Sequence, residues 1–124
     1  MHNVDYIIES SARGNIVIRV FREEITKQDI VESFNHMINT KMLNADCIGL
    51  INDISDSILM LDMGDLEKMV SFISNNKILS GIKIAVVGNS PNKILFPTLA
   101  NFKLGDMLLP FSNIEVAKEW IIEL

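Results

Sequence analysis

The sequence holds one cysteine, three prolines and one tryptophan in 124 residues, and its basic residues never form a run. Cys47 alone makes no intrachain disulfide, so the fold must rest on a hydrophobic core rather than on covalent staples. No uninterrupted apolar stretch approaches the roughly 20 residues needed to cross a bilayer. Residues 1–14 show neither a basic n-region nor an apolar h-region, and the cytoplasm is the expected compartment. Scattered single Lys and Arg residues offer no counterion release on a phosphate backbone, which excludes nucleic acid and, by the same reasoning, an anionic membrane surface.

What is present describes a globular chain: 48% hydrophobic residues, 22% charged residues and a net charge of −5. Its length suits one domain spanning residues 1–124, with enough core to fold unaided. The acidity is uneven. Residues 1–62 carry 5 Lys/Arg against 10 Asp/Glu, whereas residues 63–124 carry 6 against 6, so the first half holds the whole excess.

Val4 to Glu9 and Asn15 to Phe21 are β-branched, aromatic and alternating, and the turn-forming stretch Ser10–Gly14 between them predicts a hairpin. A helix is predicted after Thr26, with Asp29 three residues on and Ile25 positioned to staple onto Ile30. The pattern returns at Asp62 and Asp65 with Leu61 and Leu66. It returns again in a capping box at Ser112 and Glu115 with a Phe111–Val116 staple. The apolar runs Cys47–Ile51 and Ile82–Val87 predict strands covered on both faces. Residues 90–105 predict a kinked or late-starting helix around Pro97, and Met107–Phe111 a short last strand near a sheet edge because of Pro110. The predicted fold class is α/β, in the order β-β-α-β-α-β-α-β-α, with a mixed, mostly parallel sheet flanked by helices.

This order, carried by Gly14–Val20, Ile25–Ile30, Leu61–Leu66, Lys83–Pro91 and Ile114–Ile121, resembles the STAS-type fold and, within it, the SpoIIAA-like branch of small bacterial proteins. The resemblance implies a non-enzymatic regulatory module. Better-known members of the wider family antagonise anti-sigma factors and switch by phosphorylation of a serine in an Asp-Ser-Ser-Gly motif before the second helix. The matching stretch here is Asp62-Met63-Gly64, without a serine at its core. Ser55 and Ser57 lie upstream, and loop serines are ordinary turn formers. Some SpoIIAA-like relatives are grouped with lipid-carrying Sec14-type proteins, which implies a small apolar ligand as the alternative.

Asp53, Asp56, Asp62 and Asp65 fall within 13 residues free of basic side chains, at the expected carboxyl end of a strand, where ligands of α/β folds gather. Such oxygens suit Mg²⁺, but Asp62 and Asp65 also stand where helix caps favour carboxylates, and no metal or cofactor is expected. Gly88, Ser90 and Lys93 lie in a strand-to-helix turn that lacks any phosphate-loop glycine pattern. His2 lies at the terminus, His36 on the predicted polar side of the first helix and Cys47 in a strand expected to be buried, so no catalytic constellation is legible and no enzyme is expected. Ile58–Met63 is apolar where a polar loop is usual.

Two functions follow as expectations. The first is a protein-interaction module using the edge around Asp53, Asp56, Ser57, Met60, Asp62 and Met63, with Gly88, Ser90 and Phe96 on the same sheet edge. The alternative is a small apolar ligand bound between the second helix and residues 90–105, near Met60, Met63, Phe72, Phe96 and Met107. A homodimer through apolar helix surface is the expected assembly.

Overall fold

Alternating β-branched side chains pair β1 (Val4–Ser11) with β2 (Gly14–Thr26) as an antiparallel hairpin in the computed structural model, which describes residues 3–89 and 107–123. β3 (Cys47–Met60), β4 (Lys83–Val87) and β5 (Leu108–Phe111) add in parallel, giving one sheet in chain order from β1 to β5. Pro110 lies on the edge strand, where its missing N–H does no harm.

Parallel pairing requires crossovers, and helices supply them. α1 (Lys27–Asn39) starts at a capping box: the Thr26 side chain accepts from the Asp29 N–H, and the Asp29 carboxylate accepts from the Thr26 N–H. α2 (Met63–Asn75) repeats this with Asp62 and Asp65, and a short 3₁₀ turn (Leu79–Gly81) leads into β4. Both staple pairs sit with the core on one face of the sheet: Ile25 with Ile30, and Leu66 with the half-buried Leu61. α3 (Ile114–Ile122) packs on the opposite face through Ala117 and Ile121 against Ile16, Ile18, Ile51 and Ala85. β3 is therefore covered on both sides, and Leu50 and Ile51 are wholly buried, each contributing about 2 kcal/mol. Gly49 permits that closeness, because a Cβ there would stand 2.4 Å from Ile121.

Two expectations are corrected. Strand β3 does not stop at Ile51: after a bulge at Val20–Arg22, β2 continues, and Arg22–Thr26 pair with Asp56–Met60 in parallel. Asp53, Asp56, Ser57 and Met60 are thus strand residues, and only Leu61 and Asp62 link β3 to α2. At the last helix the cap is Asn113, not Ser112, its side chain accepting from the Val116 N–H, and Val116 is exposed rather than stapled to Phe111. Asn and Ser are both good caps, and the start at Asn113 is the one that turns Ala117 and Ile121 onto the sheet. The helix expected within residues 90–105 lies outside the described residues.

Candidate functional site

Strict alternation puts Val17, Arg19 and Phe21 of β2 on the face that α1 and α2 cover. Arg19 consequently points into the core and is 2% exposed. The register sets Tyr6, Arg19, Asn52 and Val86 side by side across β1, β2, β3 and β4, a short polar row that ends in an apolar residue.

This row is knitted together. Arg19 Nε donates to Asn52 Oδ1 at 2.7 Å and Nη1 donates to Ser33 Oγ at 3.1 Å, while Ser33 Oγ also bonds the Tyr6 hydroxyl at 2.8 Å. Asn52 Nδ2 donates to the Ala85 carbonyl at 3.3 Å. The guanidinium carbon lies 4.2 Å from the ring centre of Phe34 and 4.9 Å from that of Phe21. Among the described residues no enclosed side-chain polar atom lacks a partner.

Arg19 keeps further N–H donors beyond these two bonds, and its charge is not neutralised among the described residues. No carboxylate among the described residues makes an ion pair with Arg19. Burial pushes the guanidinium down to about 9, with a smaller opposing influence from Tyr6, so it stays charged at neutral pH.

The charge borders a cavity of about 90 Å³. Arg19 and Asn52 supply its polar wall, and Phe34, Ile54, Leu66, Met69 and Val86 are among its apolar residues. A neighbouring cavity of about 240 Å³ shares Ile73, Ile84 and Leu108 with the first and reaches Met107. α1 supplies Phe34, α2 supplies Leu66 and Met69, and the strands supply the floor, so each wall follows from the amphipathic face of its element.

Of the residues singled out from sequence, Met107 lines the second cavity, and the other described ones lie outside both cavity linings. Asp62 and Asp65 cap α2, Asp53 accepts from the Ser55 N–H at 3.0 Å, and exposed Asp56 pairs in register with Arg22 and favours its charge. Ser57 is 1% exposed, and its hydroxyl donates to the Ile54 carbonyl at 2.9 Å. Buried Gly88 donates its N–H to the Phe111 carbonyl. Met60 and Met63 are exposed beside Ile58, whereas Met107 lines the second cavity and Phe72 stacks at 5.1 Å on Phe34. Ser90 and Phe96 lie outside the described residues. Among the described residues no three His, Cys, Asp or Glu side chains are grouped as a metal site. Burial pushes the Cys47 thiol up, away from the reactive thiolate.

Arg19 was legible but unread. With Ile16, Ile18 and Val20 on one face and Val17 and Phe21 on the other, both faces of β2 are apolar, so an arginine in register with Val17 has to be buried.

A solved structure of an uncharacterised DUF3478 protein with a SpoIIAA-like fold from Shewanella loihica PV-4 matches 96% of this chain and 93% of its own, with a TM-score of 0.68 and 16% identity. The chain thus has a SpoIIAA-like fold. No family model and no curated protein matches the sequence, and no helix among the described residues is long and apolar enough to cross a membrane.

Proposed function

We propose that this SpoIIAA-like domain binds a small, largely apolar ligand in the cavity between its sheet and helices α1 and α2. The observation that carries the reading is Arg19, a buried charge without a counterion among the described residues, which stands beside Asn52 on the wall of a cavity whose other described residues are apolar. An unneutralised buried ion is expensive to keep, and natural folds tolerate such groups chiefly where they serve a site. Val86 offers the test, because it is half-buried and lines the cavity. Toluene titrated into the protein is expected to shift the amide resonances of Phe34, Asn52 and Leu66. Val86→Phe, which fills the space, is expected to remove those shifts while leaving the rest of the spectrum in place. Shifts that survive in Val86→Phe place the probe elsewhere and overturn the reading.

A second reading, a protein-interaction module, is favoured by one separate observation. Ile58, Met60 and Met63 are 61%, 51% and 50% exposed, grouped where β3 gives way to α2 and flanked by Asp56 and Asp62. Apolar side chains rimmed by acids suit a partner surface. Crosslinking in the source cells is expected to capture one defined partner with the native chain and none with the Ile58→Ser, Met60→Ser variant. Equal capture by both chains rejects this surface.

A further inference from the structure

Resting on the cavity reading, we infer that the ligand is a monocarboxylate with an apolar tail, its carboxylate held by Arg19 and its tail directed toward Ile73, Ile84 and Leu108. Four observations converge on this chemistry. Arg19 is 2% exposed, lines the cavity and has only neutral acceptors, Asn52 and Ser33, among the described residues. Those acceptors occupy two of the five N–H donors of a guanidinium, leaving a planar fork that matches a carboxylate. Phe34 and Phe21 pack against the guanidinium and hold it in place, so little side-chain freedom remains to be lost on binding. The other described residues of the cavity wall are apolar, and three of them, Ile73, Ile84 and Leu108, also line the larger second cavity beside it.

The charge balance selects the ligand class. One guanidinium neutralises one carboxylate, and the pair is then buried without net charge. A phosphate dianion would leave a negative charge unpaired in an apolar wall. An amine would face Arg19 with like charge. An alcohol fits the tail space but leaves Arg19 unneutralised, so it should bind more weakly than an acid of the same length.

Calorimetry with the full chain at pH 7 tests this with octanoate, octan-1-ol and inorganic phosphate. The expected result is octanoate binding at least about tenfold tighter than octan-1-ol, with no heat from phosphate, since a charge-assisted hydrogen bond is stronger than a neutral one. Arg19→Gln keeps a donor for Asn52 but removes the charge. It is expected to abolish the advantage of octanoate over octan-1-ol. Equal binding of the two ligands by the native chain overturns the carboxylate assignment and leaves the cavity reading standing, and it does so without any variant. Octanoate binding unchanged in Arg19→Gln also overturns the assignment, because the carboxylate is then held elsewhere. Absence of binding by both overturns the assignment and the cavity reading together.

Discussion

Arg19→Met is expected to stabilise the protein at pH 7 by about 1–2 kcal/mol, read as a higher urea midpoint at unchanged slope. The sign is unusual for a buried substitution and follows from the desolvated charge. Lowering the guanidinium to about 9 corresponds to a penalty on the order of 5 kcal/mol for holding it charged in the folded chain. Methionine removes that penalty and fills a similar length of space. Part of the gain is offset by the lost contacts with Phe21 and Phe34, about 0.5–2 kcal/mol each. A further loss, about 1–3 kcal/mol, comes from Asn52 Oδ1, which is left without its donor. Ser33 keeps its bond to Tyr6 and adds little to the loss. A lower urea midpoint for Arg19→Met would show that the ring and amide contacts outweigh the desolvation. The cavity would then need no ligand to explain its arginine.

The same reasoning sets a pH dependence. The folded-state value lies below the ordinary one, so above pH 9 the folded chain releases a proton that the unfolded chain still holds. The penalty is fully present below about pH 9 and shrinks as pH rises beyond it. The stability gap between Arg19→Met and the native chain is therefore expected to narrow by about 1 kcal/mol between pH 8 and pH 10. Paired urea titrations cancel the other alkaline titrations, which both chains share. A gap constant over that interval would mean that Arg19 retains its ordinary affinity for protons.

Local chemistry was legible in the sequence, and tertiary pairing was not. The Thr26–Asp29 and Asp62–Asp65 boxes could be read because each is closed by residues three apart, whatever the rest of the chain does. The same local rule misplaced the last cap by one residue, since Ser112 and Asn113 are both good caps and only the packing of Ala117 and Ile121 chooses between them. The length of β3 was hidden for a different reason. Asp53, Ser55 and Asp56 are loop-like residues, and they become strand because the bulge at Val20–Arg22 lets β2 run on beside them. As a loop that stretch would present its acids and serines as a site, whereas in the sheet the polar row of Tyr6, Arg19 and Asn52 lies on the face that α1 and α2 cover. The row depends on register between three strands, and a single strand's alternation shows only that Arg19 faces inward, not which groups meet it.

The start of that register is held by one residue, and Gly14→Ala is expected to destabilise the protein by about 3 kcal/mol, lowering the melting temperature by roughly 10 °C. Gly14 has φ of +141°, a conformation that L side chains rarely adopt. A Cβ there would also stand 2.6 Å from the backbone carbonyl oxygen of Asp46 and 2.6 Å from Ile48 Cγ2. The carbonyl cannot yield cheaply, because the Asn15 N–H donates to it at 2.8 Å and so ties the hairpin to the first residues of β3. Relieving the clash breaks that bond next to the Asn15–Cys47 pairing and the register shift at Asn15–Ile16, after which Ile16–Val20 pair regularly with Gly49–Asp53. Gly81→Ala is the matched control, since a Cβ there meets nothing within 4 Å and its φ is unexceptional. It is expected to change stability by less than about 0.5 kcal/mol. Equal losses at both positions would reduce the Gly14 effect to general glycine replacement. A loss confined to Gly14→Ala, accompanied by weakened amide protection at Arg19 and Asn52 in hydrogen exchange, would tie the hairpin turn to the alignment of the buried polar row.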